Sequence, residues 1–329
     1  MSIIEIKNLV RVFKKPLREP GLRGMVKALF SRKYEEVRAV DDISFDIAEG
    51  EIVGFIGANG AGKSTTIKMM CGILHPTAGS VTVDGMGFEK QRQEINRHMG
   101  VVFGQKTQLW WDIPLIETFK ILKSIYEVDD EVYEERFEYL CDLLDMRPFL
   151  NQTVRSLSLG QRMRADFAAA LIHSPKIVYL DEPTIGLDVL VKDKIRDAIR
   201  ELNRKYHTTV ILTTHDMKDI EELCSRIIII DKGRIIYDGS LENIKYRFGN
   251  IKTIFVPSNT PLDVEGLQSK FSGVKVEAQE EKIAIQFSLG EVDLDEMLLY
   301  LINTYHIKDF KIEDISIEDI TKQLYESHE

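Results

Sequence analysis

The chain has 329 residues, of which 44% are hydrophobic, and it carries a formal net charge of −10. This length allows two domains with a sizeable core, whereas the acidic balance argues against a nucleic-acid partner, because phosphate backbones are held mainly by clustered lysine and arginine. Three widely spaced cysteines suggest neither a disulfide framework nor a zinc site, and no apolar run reaches the roughly 18 residues that a membrane span needs.

The N-terminal region is predicted to form two alternating strands, at residues 3–13 and 39–47, that flank a basic insert at about residues 14–38. Within the insert, apolar residues recur at helical spacing between Leu22 and Phe30, with arginine and lysine among them. This pattern predicts a short amphipathic helix that would touch anionic lipid head groups or a partner helix. The alternative is a surface helix that packs its apolar face on its own domain.

A glycine-rich loop follows the apolar strand predicted at residues 52–56. Its glycines permit a tight turn that aims backbone N–H groups inward at the N-terminus of a helix, which is an anion-binding arrangement. Lys63 would reach the terminal phosphates of a nucleoside triphosphate, and Ser64 would give a hydroxyl ligand to Mg²⁺. The alternative is a glycine-rich turn with a chance Lys-Ser pair. The predicted nucleotide contacts are Gly57, Asn59, Gly60, Ala61, Gly62, Lys63, Ser64 and Thr65.

Apolar strands alternate with helical stretches from residue 51 to about 240, which predicts an α/β fold with a largely parallel sheet covered by helices. Residues 117–144 are predicted to be mostly helical. The strand predicted at residues 176–180 ends in two carboxylates. Asp181 would hold the Mg²⁺ shell, and Glu182 would orient or deprotonate the water that attacks the γ-phosphate. The alternative is a strand that ends in a plain turn.

The pattern changes after residue 240, where short strands and helices alternate in the order β-α-β-β-α-β. We therefore predict a nucleotide-binding domain at residues 1–240 and a ferredoxin-like α+β accessory domain at residues 241–329, which would serve dimerisation or regulation. The last strand is predicted at residues 308–312, and a closing amphipathic helix at residues 317–325.

Over about residues 4–240 the chain resembles the nucleotide-binding subunits of the ATP-binding cassette (ABC) family, with their motifs in order. The specific mark is Leu-Ser-Leu-Gly-Gln at residues 157–161, similar to the family's signature Leu-Ser-Gly-Gly-Gln with Leu159 in place of the first glycine. The resemblance implies a P-loop ATPase cassette with a helical signature subdomain at about residues 106–172. By itself the segment would be a helix start capped by serine. The resemblance implies that ATP bound by the opposite subunit is contacted by Ser158, Gly160, Gln161 and Asp188.

Three further residues are assigned by the resemblance. Gln105 resembles the family's Q-loop glutamine, which senses Mg²⁺ and the attacking water, and His215 resembles the switch histidine, which contacts the γ-phosphate and holds Glu182. Phe13 occupies the position, after the first strand, at which an aromatic ring stacks on adenine. The alternatives are a polar loop residue, a structural histidine and a core phenylalanine. The implied catalytic residues are Glu182, His215 and Gln105, and the implied Mg²⁺ ligands are Ser64, Gln105 and Asp181.

Both tryptophans of the chain, Trp110 and Trp111, follow Gln105 closely. In the family this segment lines the groove that receives a helix of the membrane subunit, and aromatic residues make strong anchors at interfaces. The resemblance therefore implies docking to a transmembrane permease. The alternative is core packing of one tryptophan; two adjacent side chains in a strand would face opposite ways, which makes it hard to bury both.

The resemblance implies a peripheral subunit at the cytoplasmic face of the membrane, in which a homodimer closes on two Mg-ATP molecules and opens after hydrolysis. Residues 312–320 resemble the tail of ABC-2 type exporter ATPases, which favours export. An importer ATPase is the alternative. A soluble ABC ATPase that acts on ribosomes or DNA is another, although the chain has neither a long coiled coil nor a second cassette. The transported substrate contacts the permease and is not encoded here.

Overall fold

The computed structural model describes residues 2–16, 34–104, 106–248 and 250–328. The chain divides into two compact units, residues 1–238 and residues 239–329. Gln105 and the basic helix predicted between Leu22 and Phe30 lie outside the described residues. Within the described residues, no helix is both long enough and apolar enough to cross a bilayer.

Two sheets and a set of helices make up the first unit. In chain order its strands are β1 (Ser2–Pro16), β2 (Tyr34–Ala48), β3 (Ile52–Gly57), β4 (Ala78–Val83), β5 (Met86–Gly87), β6 (Met99–Phe103), β7 (Ile177–Asp181), β8 (Thr209–Thr213), β9 (Arg226–Asp231) and β10 (Arg234–Ser240), the last of which crosses the unit boundary. Its helices are α1 (Lys63–Met70), α2 (Phe88–Arg97), α3 (Leu115–Tyr126), α4 (Asp130–Leu143), α5 (Leu159–Leu171), α6 (Val189–Tyr206) and α7 (Met217–Leu223).

The larger sheet has the order β10-β9-β3-β8-β7-β6. Each pair of neighbouring strands from β9 to β6 in this order is parallel. Every residue of β3 is buried, as expected for a strand that is covered on both faces. Because the strands are parallel, the segments that follow β3, β7 and β8 start at the same edge of the sheet. The predicted α/β fold with a parallel sheet is confirmed, and this edge is where the predicted nucleotide site lies.

The smaller sheet is antiparallel, in the order β2-β1-β4-β5. Its two long strands extend further than predicted: the pairing of β1 with β2 continues from Phe13 opposite Val37 to Pro16 opposite Tyr34. The ends of the predicted insert at residues 14–38 are therefore strand. One reason is that Lys14 and Lys15 lie opposite Glu36 and Glu35, and such opposite-charge pairs stabilise a ladder.

The buried core of the first unit joins the two sheets. It contains apolar residues of β1, β2, β3 and α1, and the rings of Phe45 and Phe55 lie 5.9 Å apart. The helical stretch predicted at residues 117–144 consists of two helices, α3 and α4, because Glu127 ends the first with a left-handed backbone and Asp129 caps the second. Together with α5, these helices form the helical subdomain.

The second unit contains one antiparallel sheet with the order β12-β13-β11-β14. Its elements are α8 (Leu241–Phe248), β11 (Ile251–Pro257), α9 (Val264–Lys270), β12 (Lys275–Ala278), β13 (Lys282–Ser288), α10 (Leu294–Tyr305), β14 (Lys311–Asp314) and α11 (Ile317–Glu326). The last strand, predicted at residues 308–312, begins three residues later and ends two residues later, because its register is set by pairing with β11, in which Lys252 lies opposite Asp314. This unit is the predicted small α+β domain.

Candidate functional site

The loop between β3 and α1 is held against neighbouring backbone, which explains its glycines. A Cβ on Gly57 would lie 2.5 Å from the carbonyl oxygen of Ile230. Gly62 has a φ of 111°, and a Cβ there would lie 2.4 Å from the carbonyl oxygen of Ala39. Neither position accepts a side chain, so the loop backbone can lie against the carbonyl groups of Ile230 and Ala39 only because both residues are glycine. Of the other predicted contacts, Ala61 is buried and Thr65 half-buried, whereas Asn59, Gly60 and Ser64 are exposed.

Lys63 is buried at the start of α1, and its ammonium group lies inside the loop. Its Nζ donates hydrogen bonds to the carbonyl oxygens of Gly57, at 2.6 Å, and Ala58, at 3.2 Å. Burial lowers the pKa of Lys63 from its ordinary value, while the charges of Glu182 and Asp181 oppose that shift. The ammonium group is thus positioned to exchange loop carbonyls for phosphate oxygens.

Asp181 and Glu182 are tied to the next strand of the sheet through Thr213. The Thr213 hydroxyl donates to Asp181 Oδ1 at 2.6 Å, and the Glu182 N–H donates to the Thr213 carbonyl oxygen at 2.9 Å. Glu182 has a φ of 56°, a left-handed conformation that is costly for a residue with a side chain. A strained residue held by such bonds is typical of a functional position.

His215 and Glu182 are brought into direct contact, since His215 Nε2 lies 2.8 Å from Glu182 Oε1. Glu182 also borders a cavity of about 300 Å³ next to the glycine-rich loop. The cavity is lined by Ser64, Lys68, Ile73, Phe103, Gly104, Lys106, Asp181 and Glu182. Residues from the loop, from the end of β7 and from the segment after β8 therefore meet at one edge of the sheet, as predicted.

The donor set at this cavity fits Mg²⁺ bound together with a nucleotide. Ser64 and Asp181 offer hard oxygen ligands, and Mg²⁺ commonly uses one or two carboxylates plus phosphate oxygens and waters. Among the described residues there is no group of three His, Cys, Asp or Glu side chains that would form a cage made only of protein ligands.

The signature segment begins α5 and does not border this cavity. Ser158 Oγ accepts a hydrogen bond from the Gln161 N–H at 3.2 Å, and Gln161 Oε1 accepts one from the Ser158 N–H at 2.9 Å. This capping box leaves the Ser158 hydroxyl proton available to a further acceptor. The predicted serine cap is thus present, and it is compatible with a phosphate contact.

The segment around Asp188 lies beside the signature segment. Asp188 caps α6 by accepting from the Val191 N–H at 3.0 Å. A Cβ on Gly160 would lie 3.1 Å from Val191, and one on Gly186 would lie 3.3 Å from the side chain of Leu159. The residues predicted to contact the opposite subunit's ATP therefore form one surface, separate from the chain's own cavity.

The sequence pattern ends the first strand at Phe13. In the structure Phe13 lies inside β1, because this strand continues through its pairing with β2 to Pro16. Its ring is 38% exposed, so it is not a core residue. The Arg11 guanidinium lies 4.7 Å from the ring centroid. Adenine stacking on Phe13 stays a prediction.

Trp110 and Trp111 lie in the connection between β6 and α3, not in a strand, so the expectation of opposite-facing side chains does not apply. Their side chains are 40% and 49% exposed, and neither is a core residue. The Arg162 guanidinium of α5 lies 5.3 Å from the Trp111 ring. The two indoles thus form an exposed aromatic surface beside the signature helix.

Sequence reasoning missed Thr213 and Asp166. Thr213 lies in the stretch that contains His215, and its hydroxyl bonds the carboxylate of another strand. Asp166 is buried in α5, where it accepts from the Thr107 hydroxyl at 2.9 Å and the Gln108 N–H at 3.0 Å. Burial raises its pKa to about 6, while the Thr107 and Gln108 hydrogen bonds oppose the shift. The only sequence signal was an acidic residue on an otherwise apolar helix face.

Comparison with known proteins agrees with this geometry. The family described as ABC transporter matches residues 40–185. The ABC transporter ATP-binding protein NatA of Bacillus subtilis is 37% identical, over 65% of this chain and 87% of that protein. A methionine import ATP-binding protein, MetN of Lactobacillus delbrueckii, is 28% identical over 92% of this chain and 80% of its own length.

Among solved structures, a dimeric ATP-binding cassette in a post-hydrolysis state, bound to ADP and phosphate, matches with a TM-score of 0.61 and 26% identity. The match covers 72% of this chain and 98% of that one. The fold is thus that of an ABC ATPase cassette. The chain belongs to the ABC transporter ATP-binding family, as its motifs predicted.

Proposed function

We propose that this chain binds and hydrolyses ATP with Mg²⁺ as the energy-supplying subunit of an ABC transporter. The observation that carries this proposal is the contact of His215 with Glu182 at 2.8 Å, beside the cavity that Ser64 and Asp181 also line. A carboxylate oriented by a histidine next to a phosphate-binding loop is suited to activate a water for attack on a γ-phosphate.

In this mechanism Lys63 moves its hydrogen bonds from the loop carbonyls to the terminal phosphates. Glu182 accepts the proton of the attacking water, and His215 holds that carboxylate while it contacts the γ-phosphate. Mg²⁺ would be held by Ser64 and Asp181 and, as the resemblance implies, by Gln105, and would neutralise charge on the phosphate oxygens. Adenine would stack on Phe13, which its exposed ring permits.

We further propose that two copies act as a dimer. Ser158, Gly160, Gln161 and Asp188 lie outside the chain's own cavity, which supports a contact with nucleotide held by the opposite copy. A helix N-terminus with an available hydroxyl is suited to phosphate oxygens. The solved ATP-binding cassette described above is dimeric and bound to ADP and phosphate, which is consistent with this proposal. Residues 241–329 would serve that dimer as an accessory unit.

The partner in the membrane would be a permease, with this chain held peripherally at the cytoplasmic face. Both Trp110 and Trp111 are exposed, which supports a docking role. Single exposed aromatic residues are common, whereas two adjacent ones can contribute strongly to the binding of a partner. Charge balance gives no support for a nucleic-acid partner.

As the direction of transport we favour export, through an ABC-2 type permease. The resemblance of the tail at residues 312–320 to that of ABC-2 type exporter ATPases supports this. Import is the second candidate, because the match to MetN extends over 92% of the chain and so reaches into the accessory unit.

The test is to tag the chain at its native expression level, solubilise membranes in mild detergent, and identify what co-purifies in stoichiometric amount. We expect one or two multi-spanning proteins, whose own fold would separate export from import. Recovery with ribosomes, with DNA or with no partner would overturn the transporter proposal and leave a soluble ABC ATPase.

A further inference from the structure

A buried polar cluster lies behind the catalytic edge of the first unit, and no motif of the sequence includes its centre. Asp219 is fully buried on α7, and Arg196 of α6 is 2% exposed. Arg196 Nε donates to Asp219 Oδ1 at 2.6 Å. Two buried hydroxyls, of Thr184 and Thr214, donate to Asp219 Oδ2 at 2.6 and 3.1 Å.

The cluster joins the backbone segments that carry the two catalytic side chains. Thr184 follows Glu182 with only Pro183 between them, and Thr214 directly precedes His215. The Thr214 oxygen also accepts the N–H of Asp216 at 2.9 Å, so the residues on both sides of His215 are fixed by it. Beyond the Glu182 N–H bond to Thr213, one carboxylate oxygen therefore bridges the segments on which Glu182 and His215 lie.

The cluster also reaches the helix that Asp188 caps. Asp216 accepts from Lys192 of α6 at 2.7 Å, and Arg196 of the same helix contacts Asp193 and Asp216. Polar groups that are buried this deeply are costly unless every partner is present, and a buried ion pair by itself is weak evidence for stability. We therefore attribute the cluster to a need for fixed positions of the segments it joins, and not to a gain in folding stability.

We propose that Asp219 is a positioning residue for ATP hydrolysis, which holds Glu182 and His215 at their contact distance through Thr184 and Thr214. This inference rests on the proposed function of the same site. Asp219 does not face the cavity and would not touch the nucleotide, so its effect would be on turnover and not on ATP binding.

The test uses threonine-to-valine substitutions, because removing Asp219 would leave Arg196 without its buried partner and endanger folding. Thr184→Val and Thr214→Val each remove one hydroxyl with little change in shape. We expect each to lower kcat for ATP by about 10- to 100-fold with KM almost unchanged, since small displacements at a reacting centre are costly. The double variant should be little slower than the slower single one, because both act on the same pair.

Two controls separate positioning from folding. Thr209→Val removes a buried hydroxyl that accepts the Gly50 N–H at 2.9 Å. Thr209 is the first residue of β8, whereas Thr214 directly follows the last. It should lower thermal stability about as much as Thr184→Val or Thr214→Val but leave kcat unchanged. Thr184→Ser and Thr214→Ser keep the hydroxyl and should restore most of kcat. If all the valine variants change kcat equally, the cluster is structural only and the inference fails.

A second readout does not depend on turnover. In the full chain labelled at histidine, the His215 ring resonance, assigned with His215→Gln, should shift in Thr184→Val and Thr214→Val but not in Thr209→Val. If the wild type hydrolyses no ATP, the proposed function fails, while this shift still decides whether the cluster positions His215. An unchanged resonance would overturn the inference.

Discussion

The two units of the chain bury different kinds of side chain. The first unit buries Lys63, Arg136, Asp166, Arg196 and Asp219 among its apolar residues, together with several threonines. In the described part of the second unit, the buried polar residues are only Thr253 and Thr321. Its core is a cluster of aliphatic and aromatic side chains around Ile254, Ile285 and Phe287.

This difference indicates where the chemistry lies. Burying a charge costs free energy unless it is paired, so such residues persist where a function requires them. Lys63 and Asp219 lie at or behind the edge of the sheet that carries Glu182. The second unit has no comparable charge among its described buried residues, and we predict that its core serves packing and not catalysis.

The largest expected effect is that of Glu182→Gln, which removes the proton acceptor but keeps the side chain's shape. We expect ATP to bind while kcat falls by about 10²- to 10⁴-fold, the usual contribution of a general base. Steady-state ATPase assays and nucleotide-binding titrations would measure both. Glu280→Gln, on the exposed surface of the second unit, is the control and should leave kcat unchanged. Undiminished turnover in Glu182→Gln would remove that residue from catalysis.

Ile285→Ala tests the claim that the second core serves packing. Ile285 is fully buried in the middle of β13, so we expect its unit to lose about 2–5 kcal/mol of stability while kcat stays unchanged. Hydrogen exchange of amides in β11 and β13 would report the loss locally. Ile312→Ala, at a 37% exposed position, should cost much less. A parallel loss of kcat in the Ile285 variant would show that the second unit contributes to hydrolysis.

Asp166→Asn tests the cost of a buried charge. Because the pKa of Asp166 is raised to about 6, the folded state binds its proton more tightly than the unfolded state does. The contribution of Asp166 to the free energy of unfolding therefore falls by about 2 kcal/mol as the pH rises from about 4 to 6. Denaturant titrations across this range should show a flatter pH dependence for Asp166→Asn than for the wild type.

Asp84→Asn is the control of opposite sign. A hydrogen bond from Lys176 lowers the pKa of Asp84, so its contribution is present at neutral pH and lost as pH falls through the lowered pKa. The two variants should thus change the pH dependence in opposite directions, Asp166→Asn between about pH 4 and 6 and Asp84→Asn below about pH 4. Identical slopes for Asp166→Asn and the wild type would contradict a raised pKa at Asp166.

The smallest expected effect is on membrane association. Replacing both Trp110 and Trp111 with alanine should weaken recovery with the permease by about tenfold, while ATP binding stays unchanged, since interface aromatics commonly contribute most to affinity. Co-sedimentation with permease-containing membranes would measure it. Tyr246→Ala removes an aromatic ring that is 89% exposed elsewhere and should have no effect. Unaltered association of the tryptophan variant would exclude the docking role.

Much of the site could be predicted because its residues form short continuous motifs. The loop from Gly57 to Thr65, the pair Asp181 and Glu182, and the segment at residues 157–161 each follow a strand or begin a helix that the hydropathy pattern identifies. Parallel pairing then brings the first two together, which the alternation of strands and helices already implied. The contact between Glu182 and His215 could be expected only from the family resemblance.

The ends of elements and the polar cluster could not be predicted. The extension of β1 past Phe13 depends on which residues of β2 lie opposite, and the position of β14 depends on its register with β11. Asp219 is 35 residues from Thr184 and 23 from Arg196 along the chain, and nothing in the local pattern of any of them points to the others.

The sequence by itself determined the class of protein and the order of its parts, because phosphate binding needs glycines, a lysine and carboxylates at fixed local spacing. Only the tertiary structure decided which polar groups are buried and which partners they have, including the hydroxyls of Thr184, Thr213 and Thr214. The physical reason is that burial and hydrogen bonding between distant segments are set by packing of the whole sheet and its helices, whereas a motif records only neighbours along the chain.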